Sequence, residues 1–113
     1  MKTEERAVQL WSVLVLAARN QQLLSYGTVE QITGIAQPGI GKMLSPIQRY
    51  CKNNRLPRLT SIVITETTGL PGEKFTEDSG PGDIFADQAK VFVYDWFTRK
   101  APTSEDFKVA MQD

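Results

Sequence analysis

The sequence predicts a mainly α-helical single domain with a small β wing: a winged helix-turn-helix-like core, opened by an N-terminal core helix and followed by a C-terminal helical extension. Three observations lead there. Residues 24–75 read as helix, turn, helix, then a β-branched segment closed by a glycine turn. Residues 4–22 place apolar side chains at helical spacing ahead of that unit. Lys42, Arg49, Lys52, Arg55 and Arg58 fall on the second helical part and its exit with no acidic residue among them, and a basic element on a small scaffold is how such modules meet phosphates.

The bounds set by composition agree with a small binding domain. At 113 residues the chain is long enough for one modest core and too short for a second, catalytic domain. Residues 1–76 form the expected helix-turn-helix core, and 77–113 an acidic, aromatic extension packed on the same domain. No apolar run has bilayer-spanning length, and the acidic start does not read as a secretory signal, so the expected location is cytoplasmic with no membrane contact. One cysteine and no histidine leave the usual zinc sets and the histidine-based triads without their members, so neither a metal, a cofactor nor a catalytic site is expected. The formal net charge of zero conceals a division. Residues 1–65 carry eight basic against three acidic side chains, a net +5, while 66–113 carry five against ten, a net −5. A basic face for a polyanion and an acidic part turned elsewhere would produce that split.

Taken in order, Thr3 is the expected cap of helix 4–22, with Glu4 and Glu5 at the positive end of its dipole. Ala7, Leu10, Trp11, Leu14, Ala17 and Ala18 keep the core spacing, Val13, Val15 and Leu16 widen the stripe, and Trp11 reads as a core anchor. A helix that apolar is central to the core or dimerises. Tyr26 and Gly27 break the pattern, and Thr28 is expected to cap a short helix 29–33 with Val29 and Ile32 facing inward. Gly34 ends it, residues 35–39 turn, and Gln37 or Pro38 opens the next helix. Ile40, Met43, Leu44, Ile47 and Cys51 continue at helical spacing, while Ser45-Pro46 suggests a kink or a division into 38–44 and 46–53.

Leu56-Pro57 marks an extended exit, and residues 59–65 have strand composition. Thr67-Thr68-Gly69 is the expected turn, after which Gly69, Pro71 and Gly72 limit any returning strand to a short edge. Residues 77–82 read as a polar loop. Residues 84–98 satisfy both strand alternation and helical spacing, so period alone does not arbitrate. Asp83 as an N-cap, with Ala86, Gln88, Ala89 and Lys90, favours a helix from Ile84. Thr103 is placed to cap a last helix, 104–111, anchored by Phe107.

The central stretch resembles the DNA-binding domain of the O6-alkylguanine-DNA alkyltransferases and alkyltransferase-like proteins. The likeness rests on Ser25-Tyr26-Gly27 with Ile32, on Ile40-Gly41-Lys42-Met43-Leu44, and on Asn54-Arg55-Leu56-Pro57 with Ile62-Val63, and covers residues 24–72. It implies a helix-turn-helix on double-stranded DNA, with Tyr26 matching the tyrosine that helps rotate a target nucleotide; tyrosine-glycine before a helix is equally a packing corner. Where that family holds a Pro-Cys-His-Arg acceptor site, this chain has Pro57-Arg58-Leu59-Thr60, so alkyl transfer is not implied. The family's duplex-inserting arginine falls at Pro38, which puts base flipping in doubt.

Other motifs carry less. Gly39-Ile40-Gly41-Lys42 has the wrong spacing for a phosphate loop. Asp83, Asp87 and Asp95 with Glu77 read as a solvated acidic face before a cation site. Cys51 stays in register with Ile47, Leu44 and Ile40, so it reads as packing rather than as a nucleophile. The function expected is therefore non-catalytic binding of double-stranded DNA, with Lys42, Arg49, Lys52, Arg55 and Arg58 on phosphates, Gln37 and Gln48 as base readers, and Tyr26 beside them. The alternative is a protein-interaction module, such as an accessory subunit of a bacterial or phage system, docking through the acidic aromatic part.

Overall fold

The computed structural model describes residues 1–72, 75 and 83–112. Its helices surround α1 (Thr3–Arg19), which packs most closely against the helices that begin at Gln37, Ile84 and Ser104 and carries buried Ala7, Leu10, Trp11, Leu14, Val15, Ala17 and Ala18. The expected stripe is there but does not run all round, since Leu16 is 56% exposed. Lys2, not Thr3, is the N-cap: the Glu5 carboxylate accepts from the Lys2 backbone N–H at 2.9 Å, so helical geometry already includes Thr3. The helix stops before residue 22 because Gln21 turns left-handed (φ 56°) and lets Gln22 N–H reach the Ala17 carbonyl at 2.9 Å.

After β1 (Leu24–Ser25), α2 (Tyr26–Thr33) starts three residues earlier than expected. Ser25 is its cap, accepting from Thr28 N–H at 3.1 Å, so Thr28 is a first-turn donor rather than the cap. Val29 is fully buried, but Ile32 is 55% exposed; Ile35, beyond the turn, enters the core instead. Gly34 ends α2 with φ 76°, a conformation open to glycine at little cost.

The third helix, α3 (Gln37–Asn53), is one piece. Pro46 lies inside it and withholds the N–H that residue 42 would have accepted, a loss of the kind that breaks helices. Packing overrides the local preference: Ile40, Leu44, Ile47 and Cys51 face the core, Pro46 itself is fully buried, and α1, α2 and the C-terminal helix all bear on α3.

The expected strand 59–65 is mostly a 3-10 turn, Leu59–Ile62, followed by a two-residue β2 (Val63–Ile64). Leu59, Thr60, Ser61, Ile62 and Val63 are all buried in succession, which a tight turn wedged among helices achieves and a half-buried strand does not. β2 pairs in parallel with β1, Leu24 opposite Val63 and Ser25 opposite Ile64, rather than with a returning strand. The glycine turn forms as expected, with Thr65 N–H donating to the Leu70 carbonyl at 2.8 Å and Gly69 at φ 70°. Among the described residues no strand follows it. The expected loop at 77–82 and the boundary at 76/77 lie outside the described residues.

Asp83 caps α4 (Ile84–Val93), accepting from Ala86 N–H at 3.1 Å, which settles the strand-or-helix ambiguity for helix; a 3-10 turn, Trp96–Thr98, follows. Thr103 caps α5 (Ser104–Ala110), and Asp106 returns the bond by accepting from Thr103 N–H at 2.8 Å. Trp11 anchors the core as expected: its ring lies 5.6 Å from Trp96, 5.7 Å from Tyr50 and 6.2 Å from Phe107, joining α1 to α3 and to the C-terminal segments.

Candidate nucleic-acid interface

The stretch expected to be a helix-turn-helix comprises α2, the turn at Gly34–Ala36, and α3. Its core side is fixed by Val29, Ile35, Ile40, Leu44 and Ile47. At 100° per residue the opposite side of α3 collects Pro38, Lys42, Ser45, Pro46, Arg49, Lys52 and Asn53. That side is not free along its length, because Ser45 and Pro46 at its middle are buried where α5 packs on α3. Accessible cations therefore gather at the two ends.

At the N-terminal end, Gln37 is exposed on the first turn of α3, and its Nε2 donates to Glu30 Oε1 at 3.2 Å. Lys42 is exposed on the wall of a cleft of about 560 Å³ that it shares with Glu4, Ser45, Pro46 and Lys108. Lys108, on α5, is a second cation at this place that the sequence pattern did not nominate. At the C-terminal end, Lys52 and Arg55 are exposed. Arg55 sits in the left-handed position (φ 55°) that closes α3, with Leu56 N–H donating to the Cys51 carbonyl at 2.9 Å. Arg49, between the two ends, is half-buried.

Two expected contacts are corrected. Gln48 is 5% exposed, and its Oε1 accepts from the Thr60 hydroxyl at 3.0 Å, so it fastens the 3-10 turn to α3 and does not read bases. Arg58 forms an ion pair with Asp87 at 2.9 Å, and its guanidinium lies 3.9 Å over the Phe75 ring. It clips the exit of α3 to α4, and the expected phosphate contact is replaced by an internal carboxylate. Asp87 was invisible as its partner because the two residues are far apart in sequence.

Tyr26 behaves as a packing corner. Its ring is half-buried against the core, burial raises its hydroxyl pKa, and the hydroxyl lies against Gly72, where an added Cβ would stand 2.7 Å away. Gly27 N–H donates to Glu66 Oε1 at 3.2 Å, and a side chain at Gly27 would sit 2.2 Å from that oxygen. The Glu66 carboxylate thus occupies the place at the start of α2 where a phosphate would profit from the helix dipole.

Cys51 is 1% exposed, and its thiol is pushed up to about 12, chiefly by burial, against smaller opposing effects of the Leu59 backbone N–H and Arg99. A thiol so placed is packing, not a nucleophile. Of the acidic set, Asp83 caps α4, Asp87 pairs with Arg58, and Glu77 lies outside the described residues. Among the described residues no three metal-ligating side chains come together, and no helix is long and apolar enough to cross a membrane. Compared with known protein families, curated proteins and solved structures, the chain matches none.

Proposed function

We propose that the chain binds double-stranded DNA without catalysis, presenting the first turns of α3 to the major groove, with the cations at the other end of the helix on the backbone. The observation that carries this is the placing of exposed Gln37, Pro38 and Lys42 at the start of α3, directly after the left-handed Gly34 turn. In helix-turn-helix proteins it is the N-terminal residues of the second helix that reach base edges, so coverage of the middle of α3 is compatible with this mode. Lys42, Lys52 and Arg55 supply the phosphate contacts; Gln48 and Arg58 do not.

Arg55 supplies a test that separates binding from folding. Its backbone conformation costs an arginine about 1 kcal/mol relative to glycine. Arg55→Gly is expected to raise stability by about that amount in a urea titration while weakening DNA binding and lowering the salt slope by about 0.9. Fluorescence anisotropy on a duplex at two salt concentrations reads both. Binding absent at low salt, or unchanged between low and high salt, would sink the proposal.

A further inference from the structure

The exit of α3 and the fourth helix enclose a hollow of about 520 Å³, whose walls carry Arg55 and Arg58 on one side and Asp87, Lys90 and Tyr94 on the other. The Arg58–Asp87 ion pair, at 2.9 Å, joins the two sides and fixes how they face each other. Lys90 lies one helical turn beyond Asp87 on the same side of α4, so the bond that holds Asp87 also brings Lys90 to the hollow that Arg55 borders. Tyr94 follows at the end of the helix, where its N–H donates to the Lys90 carbonyl at 3.1 Å and its ring lies 4.6 Å from that of Trp96.

The charges around this hollow do not cancel. Arg58 and Asp87 neutralise each other, whereas Arg55 and Lys90 are exposed and, among the described residues, take part in no ion pair. Two cations from distant parts of the chain on the walls of one concavity concentrate positive potential there, and the fold supplies no anion to meet them. Tyr94 adds a hydroxyl that can donate to such an anion. The hollow is also far larger than a single ion, and it does not stand alone. Arg58 borders a second, smaller hollow of about 100 Å³ that has Lys52 on its wall. Lys52, Arg55 and Lys90 are thus the accessible cations of two adjoining hollows, an elongated arrangement that suits a chain of phosphates better than an isolated anion.

We propose that one strand of the duplex lays consecutive phosphates along Lys52, Arg55 and Lys90, with the Lys90 ammonium and the Tyr94 hydroxyl on the same phosphate. This rests on the DNA-binding reading above and extends it to α4, a helix whose place in the acidic half of the sequence points away from a polyanion. The Arg58–Asp87 pair makes no contact with the strand; it holds the two walls in position. Because the contact is to the backbone, it adds affinity without adding preference for a base sequence.

Fluorescence anisotropy of the full chain on a labelled duplex, over a series of salt concentrations, is the test. Lys90→Gln is expected to weaken binding and to lower the salt slope by about 0.9, the share of one phosphate. Lys100→Gln removes an exposed cation that borders neither hollow, and the slope is expected to stay as in the wild type. Tyr94→Phe keeps the ring beside Trp96 and removes only the hydroxyl, so binding is expected to weaken about tenfold with the slope unchanged, since no charge is lost. Circular dichroism and the urea midpoint should match the wild type for both lysine variants, because both residues are on the surface. A wild-type chain that binds no duplex overturns this inference together with the reading it rests on. Salt-dependent binding by the wild type with the same slope in Lys90→Gln, equal losses from Lys90→Gln and Lys100→Gln, or full affinity in Tyr94→Phe overturns this inference alone.

Discussion

The third and fourth helices are built on opposite plans. α3 places Ile40, Leu44, Ile47 and Cys51 inward and its cations outward, the usual division of an amphipathic helix. α4 turns a glutamine inward, ties an aspartate to a neighbouring arginine, and leaves a phenylalanine and a valine in solvent. The contrast teaches that four inward apolar side chains fix α3, whereas α4 is held by one fully buried valine, Val91, with Phe92 packed beside it, together with directed polar bonds, which leaves Phe85 and Val93 exposed.

The largest effect expected from this contrast is at the base of α3. Ile47→Ala should cost about 2 to 5 kcal/mol, because Ile47 is fully buried on a helix that packs against α1, α2, α5 and the 3-10 turn, and its truncation leaves a gap in the core. Urea denaturation measures it; a loss below that range would mean that α3 is less tightly held than its burial indicates.

Next comes the clip between the two helices. Arg58→Met and Asp87→Asn should each cost about 1 to 3 kcal/mol, since either leaves a charge of low exposure without its partner, while partial solvent access keeps the cost below that of a deeply buried pair. The double variant should cost less than the sum of the two. Strict additivity in the cycle would mean that the ion pair is not the link between α3 and α4.

Cys51 gives a pH-dependent version of the same comparison. Burial carries its thiol from an ordinary 9.0 to about 12, so below pH 9 both folded and unfolded chains hold the proton. Between about pH 9 and 12 only the unfolded chain releases it, and stability falls as pH rises, by about 1.4 kcal/mol per pH unit from this group. Tyr26 and Tyr50 are also raised by burial and contribute in the same direction, so the informative quantity is the difference from Cys51→Ala. The slope should be shallower in that variant, and an identical alkaline slope would refute the assignment.

The smallest expected effect is at the exposed apolar residues of α4. Val93→Ser should change monomer stability by no more than about 0.5 kcal/mol, read at low concentration by thermal melting. A larger loss would show that Val93 contributes to the domain's own core.

Much of the helical framework was legible because its signals are local. Asp83, Thr103 and Gly34 cap their helices as their chemistry requires, and Trp11 and Phe107 anchor the core as their spacing implies. What was not legible depends on partners distant in sequence. Ser45-Pro46 reads locally as a break, and only enclosure by neighbouring helices keeps α3 whole. Residues 59–65 have the β-branched composition of a strand, yet burial from several directions folds most of them into a tight turn. In the candidate interface, Lys42, Lys52 and Arg55 stand exposed as expected. Gln48 and Arg58 do not, because nothing in an uninterrupted basic run reveals that Thr60 and Asp87 return to occupy two of its members. The exposure of Phe85 and Val93 was not legible either, because nothing local shows that Gln88 and Asp87 help to make the attachment.

The parallel pairing of Leu24–Ser25 with Val63–Ile64 has a consequence for how the domain can be taken apart. Parallel strands need a crossover between them, and here the crossover is the whole of α2 and α3, a loop of about 40 residues closed at a two-residue neck. Unlike a hairpin, such a loop begins and returns at opposite ends of its strand pair. Excision of residues 26–62 therefore severs both strands at the neck, and the two helices lose the tether that holds their ends at a fixed separation. Grafted onto another scaffold, the unit would need acceptor sites spaced to match, or a strand pair carried along with it.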